Sequence, residues 1–136
     1  MNEKEEFLTR IESFVIKRFP FVCVPVARFI ACLAAIESDF GCSRIALENH
    51  NLVGMKVPRV RLSSCIGMNR DHAVYPSDES CIFDLFLWFQ WHKMSQESFK
   101  TMSGFLRKFK GLNYNPSSDY VDSIINLKNQ YYVETK

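Results

Sequence analysis

Apolar residues recur at helical spacing from the first turns of the chain. Phe7, Ile11, Phe14, Val15 and Ile16 predict an amphipathic helix over residues 3–19, closed by Pro20. Residues 24–36, VPVARFIACLAAI, are almost wholly apolar, with Arg28 the only charge, and Pro25 suits a first helical turn. A helix of this composition is buried nearly all round. Ser43 is placed to cap a short helix over 44–48. Residues 57–74 break the helical pattern: Pro58, a set of β-branched side chains and Gly67 predict a small hairpin or irregular flap.

The second half returns to helices. Ser77 precedes Asp78 and Glu79, a cap followed by acids that suit the positive end of a helix dipole. The helix so begun carries Ile82, Phe83, Leu85, Phe86, Leu87, Trp88, Phe89 and Trp91, enough large apolar groups for a second central core helix. Ser95 opens a further helix that Gly111 ends, and Val121, Ile124, Ile125 and Lys128 mark a last amphipathic helix after Pro116. The pattern is that of a mostly α protein with a short β flap, without repeats, linkers or charge blocks.

Composition narrows this further. At 136 residues and 47% hydrophobic content, the chain reads as one domain over 1–136, with residues 1–20 an N-terminal helix. Twelve Phe and five Tyr against five Gly indicate packed helices. A net charge of +2 is too small to imply nucleic acid, though it mildly favours approach to an anionic polymer. The five cysteines, Cys23, Cys32, Cys42, Cys65 and Cys81, share no metal-ligand spacing, and Cys23 and Cys32 lie in apolar runs that suit core positions. With three scattered histidines, no zinc site and no cofactor is expected, and a reduced compartment during folding is the simplest inference. The N-terminus has no apolar signal core, and no run approaches the ~18 apolar residues that span a bilayer.

Chemistry concentrates at Glu37. It arrives at the C-terminal end of the apolar run, where the helix dipole and partial desolvation both disfavour its charged form. A carboxyl kept protonated near neutral pH is what a general acid requires. On helix pattern alone, a solvated helix-end Glu is the other reading.

The surrounding motifs bear on that choice. Ala35, Glu37, Ser38, Gly41 and Ser43 form a small–X–Glu-Ser–X–X–Gly–X–Ser pattern. Asn49-His50-Asn51-Leu52-Val53-Gly54-Met55-Lys56 follows as an Asn-rich loop, then Ala73-Val74-Tyr75-Pro76-Ser77-Asp78-Glu79-Ser80 at a helix start, and Tyr114-Asn115-Pro116-Ser117-Ser118-Asp119-Tyr120 near the end. In this order and spacing, over roughly residues 24–131, the chain resembles the bacterial and phage glucosaminidase family of lysozyme-like peptidoglycan hydrolases, mannosyl-glycoprotein endo-beta-N-acetylglucosaminidase-like domains.

The resemblance implies a lysozyme-like helical lobe with a reduced β flap, acting on β-1,4 glycosidic bonds of peptidoglycan. It implies Glu37 as the acid, with Ser43, Asn51, Gly54, Tyr75 and Tyr120 as substrate-binding residues. Aromatic faces would cover pyranose rings and amides would read N-acetyl groups. Glycoside hydrolysis ordinarily uses two carboxylates, and Asp71 is the only acid in the flap. Asp71 is either a base across the cleft or a solvated turn residue. If it is not catalytic, the substrate's acetamido group attacks, or Tyr114 helps hold the transition state. Two departures stand out: Val53 replaces an aromatic residue of the family pattern, and the flap lacks the family's Glu. Arg59, Arg61 and Arg70 form a basic cluster in the flap, either solvated surface or contacts to stem-peptide and lactyl carboxylates. Lytic transglycosylase or muramidase activity on the same glycan, and a non-catalytic wall-binding or virion module, are the competing readings. The expected partners are peptidoglycan strands, with no nucleic acid and no membrane span. The chain would be made in the cytoplasm without a signal peptide and act at the cell wall. Delivery would come from a phage (as an endolysin or with its virion), from a secretion machine, or by another non-classical route.

Overall fold

The computed structural model describes residues 1–132. Its elements are α1 (Glu3–Arg18), α2 (Val24–Ser38), α3 (Arg44–Asn49), β1 (Gly67–Asn69), β2 (His72–Val74), α4 (Asp78–Trp91), a 3-10 turn (Gln96–Phe99), α5 (Met102–Gly111) and α6 (Tyr120–Tyr131). The protein is therefore mostly α with one short two-stranded sheet. The chain divides into two compact units, one of residues 1–33 with the chain from 95 onward, the other of residues 34–94.

The first unit packs on α2. Asn2 caps α1 through a capping box with Glu5, three acids sit in the first turn, and Lys17 and Arg18 occupy the last. Phe7, Leu8, Ile11 and Val15 are its buried stripe. Within α2, Phe29 lies edge-on to Phe105 and Phe109 of α5, at 5.3 and 5.5 Å between ring centroids. Arg28, the one charge of the apolar run, bonds Glu12 of α1 at 3.4 Å and lies 4.7 Å from the ring centre of Tyr132.

One helical boundary differs from the sequence expectation. Ser95 opens only a 3-10 turn, and α5 begins separately at Met102. The reason is a second cap: Thr101 has extended backbone and its hydroxyl accepts from Gly104 N at 3.0 Å, so the chain resets there.

The second unit is built from the end of α2, α3, the hairpin and α4. Ser43 caps α3 by accepting from Ala46 N, and His50 ends it in the left-handed region at φ 51°. The strands pair antiparallel, Asn69 opposite His72, through a two-residue turn in which Arg70 and Asp71 both take positive φ. Ser77 caps α4, whose buried face holds Cys81, Ile82, Leu85, Phe86 and Phe89. The helix is not buried all round: Trp91, expected in the core, is 51% exposed.

Candidate active site

Glu37 sits in the last turn of α2, half-buried. The chain then reverses through three successive residues with positive φ, Asp39, Phe40 and Gly41. Such backbone costs energy at Asp39 and Phe40 and needs support. Ser38 supplies it: its buried hydroxyl donates to Ala34 O at 2.6 Å and accepts from Gly41 N at 2.8 Å. Further backbone bonds, Phe40 N to Ala35 O and Ser43 N to Ser38 O, both 2.9 Å, close the turn. The Glu-Ser–X–X–Gly–X–Ser pattern is thus a turn that fixes the direction in which Glu37 leaves the helix.

A second loop meets the acid. Asn51 folds this loop around its own amide, which donates to Met55 O at 2.8 Å and to Ala73 O at 2.9 Å and accepts from Met55 N at 3.0 Å. The resulting bend puts Gly54 at φ +70° and close to the acid, so that an added Cβ would lie 3.5 Å from Glu37 Oε2. Gly54 is exposed, so loop backbone with no side chain is what flanks that oxygen.

Several residues expected to touch substrate bond within the fold. Asn51 and Tyr75 are each only 1% exposed, and the Asn51 amide is consumed inside its loop. The Tyr75 hydroxyl donates to Asp84, and burial together with that bond pushes its pKa far up. Both side chains are buried, which the turn motif alone does not reveal. Ser43 serves α3 as its cap. Val53 is 3% exposed and packs inside, so its place in the motif is a core position.

Tyr114 and Tyr120 belong to the first unit and are brought together there. Their rings stack at 5.9 Å, and Tyr114 also leans on Phe109 at 5.6 Å. Both line an open groove of about 340 Å³ between the end of α5 and the start of α6.

A family model for Glucosaminidase, described as mannosyl-glycoprotein endo-beta-N-acetylglucosaminidase, matches residues 24–133. The chain belongs to the glucosaminidase family. The glucosaminidase fold has a solved counterpart: a chain in the structure of a type VI secretion system effector-immunity complex from Pseudomonas protegens is 19% identical and superposes with a TM-score of 0.66. The likeness covers 95% of this chain and 94% of that one. Among curated proteins none matches significantly. Family membership supports a glycoside hydrolase acting on peptidoglycan.

The charges of the glucosaminidase flap are mostly spoken for. Asp71 stands in the hairpin turn with its side chain 83% exposed and its carboxylate 3.0 Å from Lys56 Nζ, whose bond and charge hold it below the ordinary carboxylate value. Arg70 bonds Glu48 at 2.9 Å. Arg61, a basic-cluster candidate for the surface, has a buried side chain: it grips Asp84 of α4 with both terminal guanidinium nitrogens, at 2.7 and 3.1 Å. Burial raises the Asp84 carboxyl, but the bonds from Arg61 and Tyr75 outweigh it and hold the group below its ordinary value. Of the three flap arginines only Arg59 is without an ion pair among the described residues.

Two supports escaped the sequence reading. Asp84 was a lone acid within an apolar helix, a signal that a cation must meet it. Glu48, at the end of α3, collects Arg44, Arg70 and Asn69, which draw its pKa down to about 2. Among the described residues no three or more His, Cys, Asp or Glu converge as a metal site would, and the five cysteines are free thiols.

Proposed function

We propose that this glucosaminidase domain is a peptidoglycan hydrolase that cleaves the β-1,4 bond after N-acetylglucosamine, with Glu37 as the general acid. The observation that carries this reading is the pairing of Glu37 with Gly54: a half-buried carboxyl on a buttressed helix end, flanked by side-chain-free backbone. Glu37 gives its proton to the glycosidic oxygen as the bond to the anomeric carbon breaks. The sugar's acetamido oxygen bonds that carbon, as in substrate-assisted glycosidases, and water then opens the ring so formed and returns a proton to Glu37. The acetamido route is favoured over Asp71 as a base because Asp71 is exposed and paired with Lys56.

The same single acid would also serve an intramolecular attack giving an anhydro end, as in lytic transglycosylases. Delivery through a secretion apparatus suits the fold shared with a chain of the effector-immunity complex, and with it an inhibitory partner.

Digestion of isolated sacculi, followed by mass spectrometry of the soluble products, tests the reading. Fragments ending in reducing N-acetylglucosamine, absent with Glu37→Gln, are expected. Anhydro or reducing muramic ends would keep the acid and change the reaction. Binding without release by either form would make the domain a wall-binding module.

A further inference from the structure

The flap and the end of α4 hold apolar side chains in water. Val60 and Leu62 are 75% and 84% exposed, and Trp91 is half-exposed in the last turn of α4. With Leu87, one turn before Trp91, they line an open groove of about 300 Å³ within the second unit. The exposure is built into the chain. Arg61, between the two flap residues, turns inward to Asp84 and also donates to Leu62 O at 2.9 Å. That anchor ties the segment to α4 while Val60 and Leu62 stay outside. Held aliphatic groups beside an exposed indole form the kind of surface that a protein partner covers.

The charges around the groove have one sign. Its lining contains no acid, and its two cations are Arg61 and Lys93. Arg61 is spent on Asp84, but Lys93 is exposed, and its side chain has no hydrogen bond or ion pair among the described residues. Arg59, which adjoins Val60 in the chain, is exposed and without an ion pair in the same sense. Lys93 also stands just past α4 in left-handed backbone, φ 66°, where glycine would be at ease. Cations with open donors beside an apolar groove complement an acidic partner. The groove is concave, which suits an inserted side chain better than a bilayer surface, and Val60 and Leu62 offer no ring face to a sugar.

We propose that this groove docks an acidic segment of a protein partner. An apolar side chain of that segment lies against Leu62 and Trp91, and its flanking carboxylates pair with Lys93 and Arg59. The proposal does not draw on the glycan-hydrolase reading.

The test is a titration of the whole chain with three blocked hexapeptides, followed by protein NMR. One is Glu-Asp-Leu-Phe-Asp-Glu, the second carries Lys in place of its acids, and the third carries Gly in place of Leu-Phe. The first is expected to bind about tenfold more tightly than either control, as one charge-assisted hydrogen bond or one covered apolar side chain allows. It should also shift the indole signal of Trp91. Leu62→Ser and Lys93→Gly should each weaken its binding several-fold. Lys93→Gly should do so without a fall in melting temperature, since glycine suits the left-handed backbone, and lost binding is then not lost folding. Absence of binding, equal affinity for the first peptide and either control, or an affinity that either variant leaves untouched overturns the proposal. So does a Trp91 shift produced by phosphatidylglycerol vesicles or by chitotetraose and not by the acidic peptide, which would make the groove a lipid or glycan surface.

Discussion

Gly54 and Glu37 are fitted to each other: a Cβ on Gly54 would lie 3.5 Å from Glu37 Oε2, and the backbone at Gly54 has φ +70°. The positive φ disfavours a side chain at position 54, and a Cβ there would stand in ordinary contact with the acid. A side chain there strains the loop by roughly 1–2 kcal/mol, and it covers one oxygen of the acid. Gly54→Ala is expected to lower sacculus digestion more than the small fall in melting temperature explains. Full activity in a stable Gly54→Ala chain would detach the loop from the acid's work.

Glu37→Gln is expected to abolish digestion while leaving thermal stability unchanged or raised, because the helix C-terminus is an unfavourable place for a half-buried acid and the amide keeps its size without its acidity. Ser38→Ala is the contrast. It removes the hydroxyl that joins Ala34 O to Gly41 N and leaves a bend with three positive φ values unsupported. A loss of about 1–3 kcal/mol is expected in denaturant melts. Activity should fall through misplacement of Glu37, in contrast to outright loss at Glu37 itself.

The role of Asp71 is decided by the size of one effect. A positioned base contributes on the order of 10³-fold, whereas a solvated acid held by Lys56 at 3.0 Å contributes little. Asp71→Asn is expected to change the rate of sugar release only a few-fold. A thousandfold loss would restore a second carboxylate to the mechanism.

Local chemistry made much of the fold readable in the sequence. Ser43 and Ser77 are caps whose side chains bond backbone within three residues, and the apolar run before Glu37 is long enough to reveal α2 without help from distant partners. Glu37 was readable for the same reason, as a charge that ends an apolar helix. What was not readable depends on distance along the chain. Arg61 and Asp84 meet across 23 residues, so a flap arginine reads as surface until α4 is packed against it. Tyr75 and Asn51 have the right chemistry for sugar contacts, but their neighbours bury them. Thr101 was missed because a second N-cap shortly after Ser95 looks like continuous helix when only the apolar spacing is followed.

Glu48 gives the domain an acid response. Arg44 and Arg70 bond its carboxylate and lower its pKa from 4.5 to about 2. The folded chain therefore favours the charged form, so its contribution to stability is complete above pH 4.5 and is lost as the pH falls toward 2. Asp71 and Asp84 are lowered as well and add to the same trend. Melting temperature should drop over this window, and Glu48→Gln should flatten part of that drop while lowering stability at neutral pH. An unchanged acid profile in the variant would show the cluster to be passive surface.

The Arg61–Asp84 pair should show the opposite of a surface ion pair. Its side chains are 5% and 0% exposed, and Tyr75 adds a third bond to the same carboxylate. Arg61→Ala strands a buried charge, which costs about 3–5 kcal/mol, most of it the desolvated acid left behind. Removing both charges by Arg61→Met with Asp84→Leu should recover much of that stability, since the carboxylate no longer needs a partner. Residues 55–66, which have no regular structure and are tied to α4 through Arg61, should still gain flexibility in the double variant, visible as faster amide exchange. If Arg61→Ala costs less than about 1 kcal/mol, the pair behaves as an exposed one and the flap must be held by other contacts.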